Sequence, residues 1–116
     1  MKRIGAKHKL CRRIGSCVWG DPKCPSGKRP YSAGMHGNTR RRRKLSTYGE
    51  LLQEKQKLRA HYAVNEKQLR FAYANAQKGT GSAAEKLMQA LETRLASLVW
   101  RAGLAPTIFA AKQAVN

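Results

Sequence analysis

Arg40, Arg41, Arg42, Arg43 and Lys44 place five cations at five consecutive positions. Charges this dense repel one another unless phosphates lie between them, and arginine forks onto phosphate oxygens through paired N–H donors. Lys2, Arg3, Lys7, Lys9, Arg12, Arg13, Lys28 and Arg29 carry the same chemistry through the start of the chain. Together they point to a polyanionic partner, and nucleic acid is the commonest. A solvated tail or a nuclear-targeting patch is the plainer reading of the run by itself. Phosphate contacts hold no sequence information, so charge alone does not separate RNA from DNA. Further on, Lys55, Lys57, Arg59, Lys67 and Arg70 lie in helical sequence. Lys55, Arg59 and Tyr62 would share a face able to track a backbone, although an ordinary solvated face is the simpler account of one helix.

Two other constellations have the right residue types for chemistry. His8-x-x-Cys11, Cys17 and Cys24 supply four zinc donors. Structural zinc usually takes close ligand pairs, and only His8 and Cys11 have that spacing. The reading adopted is three metal-free thiols and no cofactor, with zinc on these four residues as the alternative. Three cysteines cannot all pair within the chain, which together with the absence of a secretory signal suggests a reducing compartment. Glu50 and Glu54 are four apart, but Lys55 and Lys57 crowd them, and surface charge on a helix explains them more simply. No catalytic set and no phosphate-binding glycine loop appears, so an enzyme is not expected.

These residues must be held by one domain's worth of chain. The sequence has 116 residues, 24 basic against 6 acidic, for a net charge of +18, and only 7% aromatic residues. Such self-repulsion opposes compaction unless a partner supplies counter-charge. No apolar run of transmembrane length occurs. Residues 1–45 hold 14 of the basic residues, 6 of the 10 glycines and a single acid, Asp21. They lack sustained periodicity and read as an irregular basic segment that becomes ordered on its partner. From Ser46 the pattern is helical. Thr47 with Glu50, Asn65 with Gln68, and Ser82 with Glu85 have capping-box spacing. Leu87, Leu91, Leu95, Leu98 and Ala102 form one helical stripe, with Gly103 placed to end it. Pro106 suits the first turn of a last helix. The expected fold is mainly α, an irregular segment and then about four helices. The expected division is a basic threading segment over 1–45, a helical part over 46–81 and a module beginning at 82–116.

Several stretches carry a resemblance to a known family. Ala33-Gly34-Met35-His36-Gly37 is similar to a Pro-Gly-Gln-His-Gly turn, and Lys44-Leu45-Ser46-Thr47-Tyr48-Gly49 follows it. Leu52-Gln53-Glu54-Lys55-Gln56-Lys57-Leu58 resembles a Leu-x-Glu-Lys-Gln-Lys helix. The run from Leu91 through Arg94 and Arg101 to Gly103, and then Ala105-Pro106-Thr107 to Val115, resembles the first two helices of an RNA-binding module. Together these resemble the ribosomal protein S-four family from Lys7 to Asn116.

The resemblance implies a non-catalytic constituent of the small ribosomal subunit. It implies direct binding to the 5′ domain of small-subunit ribosomal RNA at a helix junction, nucleation of the subunit body and a part in decoding accuracy. Implied neighbours are protein S-five and messenger RNA; no membrane and no homo-oligomer are expected. The implied location is a cytoplasmic ribosome, or an organellar one. His36, Tyr48, Arg94 and Arg101 join the cations above as implied RNA contacts. Zinc-binding members carry a Cys pair where this chain has His8 and Cys11, while Cys17 and Cys24 depart from the later ligand spacing. The module is expected to continue into a small β part, so the sequence is expected to be a fragment or the ordered portion of a longer product. The alternative function is a zinc-stabilised nucleic-acid-binding regulatory module.

Overall fold

Local signals set the start and stop of each helix in the computed structural model, which describes residues 6–38 and 45–116. Among these residues the fold has six helices and no strand, as the mainly α reading expects. Lys2, Arg3 and the run Arg40–Lys44 lie outside the described residues.

α1 (Lys9–Ile14) interrupts the irregular segment. Arg12 and Arg13 in its last turn oppose the negative end of the helix dipole. Gly15 ends it in the left-handed region at φ 86°. After α1 the chain runs through turns to Asn38. α2 (Thr47–His61) is capped by Ser46, whose Oγ accepts the Gly49 amide at 3.2 Å, so the cap falls one residue before Thr47. No residue of α2 is buried, and Leu51 is 66% exposed, so the leucines there form no core stripe.

α3 (Glu66–Gln77) opens on the expected capping box. Asn65 Oδ1 accepts the Gln68 amide at 2.9 Å, and Gln68 Oε1 accepts the Asn65 amide at 3.1 Å. α4 (Ala83–Glu92) starts at Ser82, whose Oγ accepts the Glu85 amide at 3.5 Å. The stripe expected from Leu87 to Ala102 is two helices, because the chain breaks at Thr93–Arg94 and resumes as α5 (Leu95–Arg101). Arg94 is extended, at ψ 139°. Buried Ser97 donates its hydroxyl to the Leu91 carbonyl at 2.8 Å, and Thr93 Oγ1 donates at 2.8 Å to the Gln89 carbonyl, which also accepts the Thr93 amide. The break turns the two halves of the stripe apart, so Leu91 is buried while Leu95 is 61% exposed. α6 (Ile108–Val115) is capped by Thr107, whose Oγ1 accepts the Ala110 amide at 3.1 Å, so Pro106 precedes the helix rather than sitting in its first turn.

Two compact units divide between Leu58 and Arg59, inside α2. In the second unit α3 packs on α4 and α5 on α6. Its core holds Tyr62, Val64, Leu69, Leu91, Ile108 and Ala111. Lys112 Nζ donates to the Ala63 carbonyl at 3.0 Å, tying α6 to the link between α2 and α3. In the first unit Cys11 is the one buried apolar side chain among the described residues. Among the described residues no helix is long and apolar enough to cross a membrane.

Candidate nucleic-acid interface and thiol cluster

Among the described residues, the cations of the first unit fall into two groups. Lys9 and Arg13 on α1, and Lys28 and Arg29 in the following turns, are exposed. Tyr48, at the start of α2, is 74% exposed, and His36 is exposed in its turn. Gly37 closes that turn, its amide donating to Gly34 at 3.1 Å, and a Cβ there would collide with the Ser32 carbonyl. The second group faces inward. Arg12 donates through Nε to the Tyr31 carbonyl at 3.1 Å and through Nη2 to Ser32 at 3.2 Å, with the guanidinium 4.8 Å from the Tyr31 ring. Lys7 pairs with Asp21 at 3.3 Å, and its ammonium lies 5.5 Å from the Trp19 ring. Lys57 pairs with Glu54, and Lys55 is half-buried.

In the second unit acids also take up cations. Glu66 pairs with Arg59 and with Arg70, each at 3.3 Å. Arg101 forks onto Glu92 at 3.1 Å through Nε and 2.6 Å through Nη2, with its guanidinium 4.8 Å from the Trp100 ring. Tyr62 donates to the same carboxylate at 2.7 Å, so it is a buried structural residue rather than part of a backbone-tracking face. Burial and then the Glu92 acceptor push the Tyr62 phenol up to about 12. Arg101 holds Glu92 below the usual carboxylate range. Lys67 is exposed, and Arg94 lines a groove with Phe71, Ala72, Lys86 and Ala90.

The sequence spacing argues against a metal site, yet the fold gathers His8, Cys11, Cys17 and Cys24, with all four donor atoms within 4.8 Å of one another. His8 Nδ1 faces Cys24 Sγ at 3.2 Å, and Ser26 Oγ lies 3.1 Å from the same sulfur. The Val18 amide donates to Cys11 Sγ at 3.5 Å and the Asp21 amide to Cys17 Sγ at 3.3 Å. Burial pushes the Cys11 thiol up to about 11. Against its own burial, Cys24 is held below the usual thiol range by hydrogen bonds with Ser26. Three sulfurs and one imidazole are the donor set zinc prefers, and a tetrahedral site with metal–sulfur bonds of about 2.3 Å needs donor separations of roughly 3.5–3.8 Å. The quartet therefore fits zinc after a contraction of about 1 Å at most. Pairwise spacing hides this because the turns between α1 and Ser26, rather than ligand pairs, bring the donors together. Asp21 was also missed, although a lone acid in so basic a segment is itself a signal.

Comparison with known proteins follows the same lines. The ribosomal protein S4/S9 N-terminal domain family matches residues 2–92. The small ribosomal subunit protein uS4 of Mesorhizobium japonicum is 50% identical over 116 residues, covering 99% of this chain and 56% of that protein. The proteins of the same name from Cereibacter sphaeroides and Brucella abortus are 48% and 47% identical, with the same coverage. The chain thus spans about half the length of these relatives.

Proposed function

The chain belongs to the ribosomal protein S4 family, and from that membership we propose that it is a structural constituent of a small ribosomal subunit, binding ribosomal RNA directly and without catalysis. The observation that carries the reading is the set of outward cations, Lys9, Arg13, Lys28, Arg29 and Lys67, in a chain with 24 basic and 6 acidic residues. Several of those few acids are taken up by other cations. Asp21 holds Lys7, Glu66 holds Arg59 and Arg70, and Glu92 holds Arg101. The outward set is left facing solvent, where phosphate supplies the counter-charge.

The finer reading follows the resemblance. The target is a multi-helix junction in the 5′ domain of small-subunit RNA, bound early so that the subunit body assembles around it. RNA of this kind is read by shape, phosphates and 2′-hydroxyls more than by base edges. Lysine and arginine on short helices and turns suit that mode. Protein S-five and messenger RNA are the proposed neighbours, and a part in decoding accuracy follows from that position. The proposed setting is the ribosome of a cytoplasm or an organelle, with one copy per subunit. The relatives lend nothing to a free-standing zinc-stabilised regulatory module, which is set aside.

The test is binding of the full chain to a 5′-domain transcript across a salt series, with bulk RNA as competitor. Retention of the complex against competitor is the expected result. Binding that competitor erases at every salt concentration overturns junction recognition and leaves a generic polycation.

A further inference from the structure

We propose that Asp21 is the positioning residue for one structural zinc ion held by His8, Cys11, Cys17 and Cys24, and that it makes His8 ligate through Nδ1. The two nitrogens of His8 face different partners: Nδ1 points at Cys24 Sγ, 3.2 Å away, and Nε2 at Asp21 Oδ2, 3.5 Å away. A neutral imidazole carries one proton. Placed on Nε2 it is shared with the carboxylate, and the Nδ1 lone pair then faces the sulfurs, the arrangement in which a carboxylate orients a histidine on zinc. Asp21 is itself fixed. The Lys23 amide donates to its Oδ1 at 3.0 Å, and Lys7 donates to its Oδ2 at 3.3 Å. Its backbone amide also donates to Cys17 Sγ, so one residue addresses two of the four donors.

Each sulfur has a polar partner beside it. Cys11 and Cys17 each accept a backbone amide, and Cys24 has the Ser26 hydroxyl beside it. On binding, three thiol protons leave to solvent. The centre, three thiolates and one divalent ion, then carries a single negative charge next to Lys7. Four protein donors fill a tetrahedral shell, so the site is structural, with no position open for a substrate. The unit also has a use for it. Its only buried apolar side chain among the described residues is Cys11, a member of the quartet. A segment without a hydrophobic core gains most from a metal staple.

The test uses the full chain, stripped of metal under reducing conditions and titrated with zinc and then cobalt. One zinc per chain is expected, with cobalt giving the absorption of a tetrahedral three-sulfur, one-nitrogen site. Nitrogen NMR is expected to show His8 metallated at Nδ1 and protonated at Nε2. Asp21→Ala is expected to weaken zinc binding by about 10- to 100-fold and to lose the single His8 tautomer, with Asp21→Asn recovering part of the affinity. A chain that takes up no zinc, or that pairs two of its thiols in a disulfide instead, overturns the site. Zinc bound with unchanged affinity and cobalt spectrum in His8→Ala overturns the ligand set. An Asp21→Ala chain with wild-type affinity and an unaltered His8 signal overturns the positioning role alone. RNA plays no part in these readouts, so they stand apart from the ribosomal reading.

Discussion

Tyr62, at the end of α2, donates a 2.7 Å hydrogen bond to Glu92, at the end of α4, across thirty residues of sequence. The same carboxylate receives both arms of Arg101 from α5. One half-buried acid therefore gathers the ends of three helices, and the phenol gives it a neutral donor on the buried side. Tyr62→Phe removes only the hydroxyl. A hydrogen bond to a charged group contributes about 1.5–3 kcal/mol. The lower end applies here, because Arg101 still satisfies Glu92. Thermal unfolding should fall by several degrees, while the helix content of the folded chain stays the same.

The same network predicts a pH response. Arg101 holds Glu92 below its usual value, so the folded state favours the carboxylate. Its contribution is complete above the unfolded-state value near 4.5 and is lost as pH falls below it. Tyr62 is shifted the other way, up to about 12. Its contribution is complete below an ordinary tyrosine value of about 10 and is lost as pH rises from there towards 12. Melting temperature measured across pH should therefore drop at both edges. Glu92→Gln should flatten the acid edge and Tyr62→Phe the alkaline one. An acid edge of equal steepness in Glu92→Gln would assign it to other carboxylates.

Much of the fold was legible in the sequence because capping is local chemistry. Asn65 with Gln68 and Gly103 act where their spacing puts them. The break at Thr93–Arg94 was not legible. A leucine stripe continues through it, and only tertiary packing decides that Ser97 turns inward to take the Leu91 carbonyl. Among the site residues, charge type was legible but charge use was not. Arg12 and Arg101 look like Arg13 in sequence, and they differ only in the acceptors that the fold brings to them. The thiol quartet was legible as residue types but not as a site, because its donors converge through turns rather than through ligand pairs.

Two helix ends share one geometry and differ in one residue. After α5, Gly103 at φ 76° donates to Trp100 at 3.1 Å, and Leu104 donates to Val99 at 3.2 Å. After α2, Ala63 at φ 50° donates to Ala60 at 3.3 Å, and Val64 donates to Arg59 at 3.1 Å. Both are left-handed caps of the kind glycine favours. Gly103→Ala meets open space, so its cost is backbone strain alone, about 1–2 kcal/mol. Ala63→Gly relieves strain of the same size. It also strips a buried methyl group worth about 0.8 kcal/mol and loosens the unfolded chain by about 0.5–1 kcal/mol. Denaturant unfolding should therefore show a clear loss for Gly103→Ala and a change near zero for Ala63→Gly.

Adjacent arginines on α1 give the sharpest separation of folding from binding. Arg12 spends its guanidinium on the carbonyls of Tyr31 and Ser32, whereas Arg13 is exposed. Arg13→Ala should leave the circular dichroism and the zinc titration of the chain unchanged. It should make the plot of log K against log salt for RNA binding shallower by about 0.7–0.9, the change expected when one phosphate fewer is neutralised. Arg12→Ala should do the reverse. It frees the turn at Tyr31–Ser32 from α1, the helix that carries Cys11, so metal affinity and protease resistance of the first unit should fall before the salt slope changes. If both variants shift the salt slope equally and neither affects metal binding, Arg12 is an RNA contact and its carbonyl bonds give way when RNA binds.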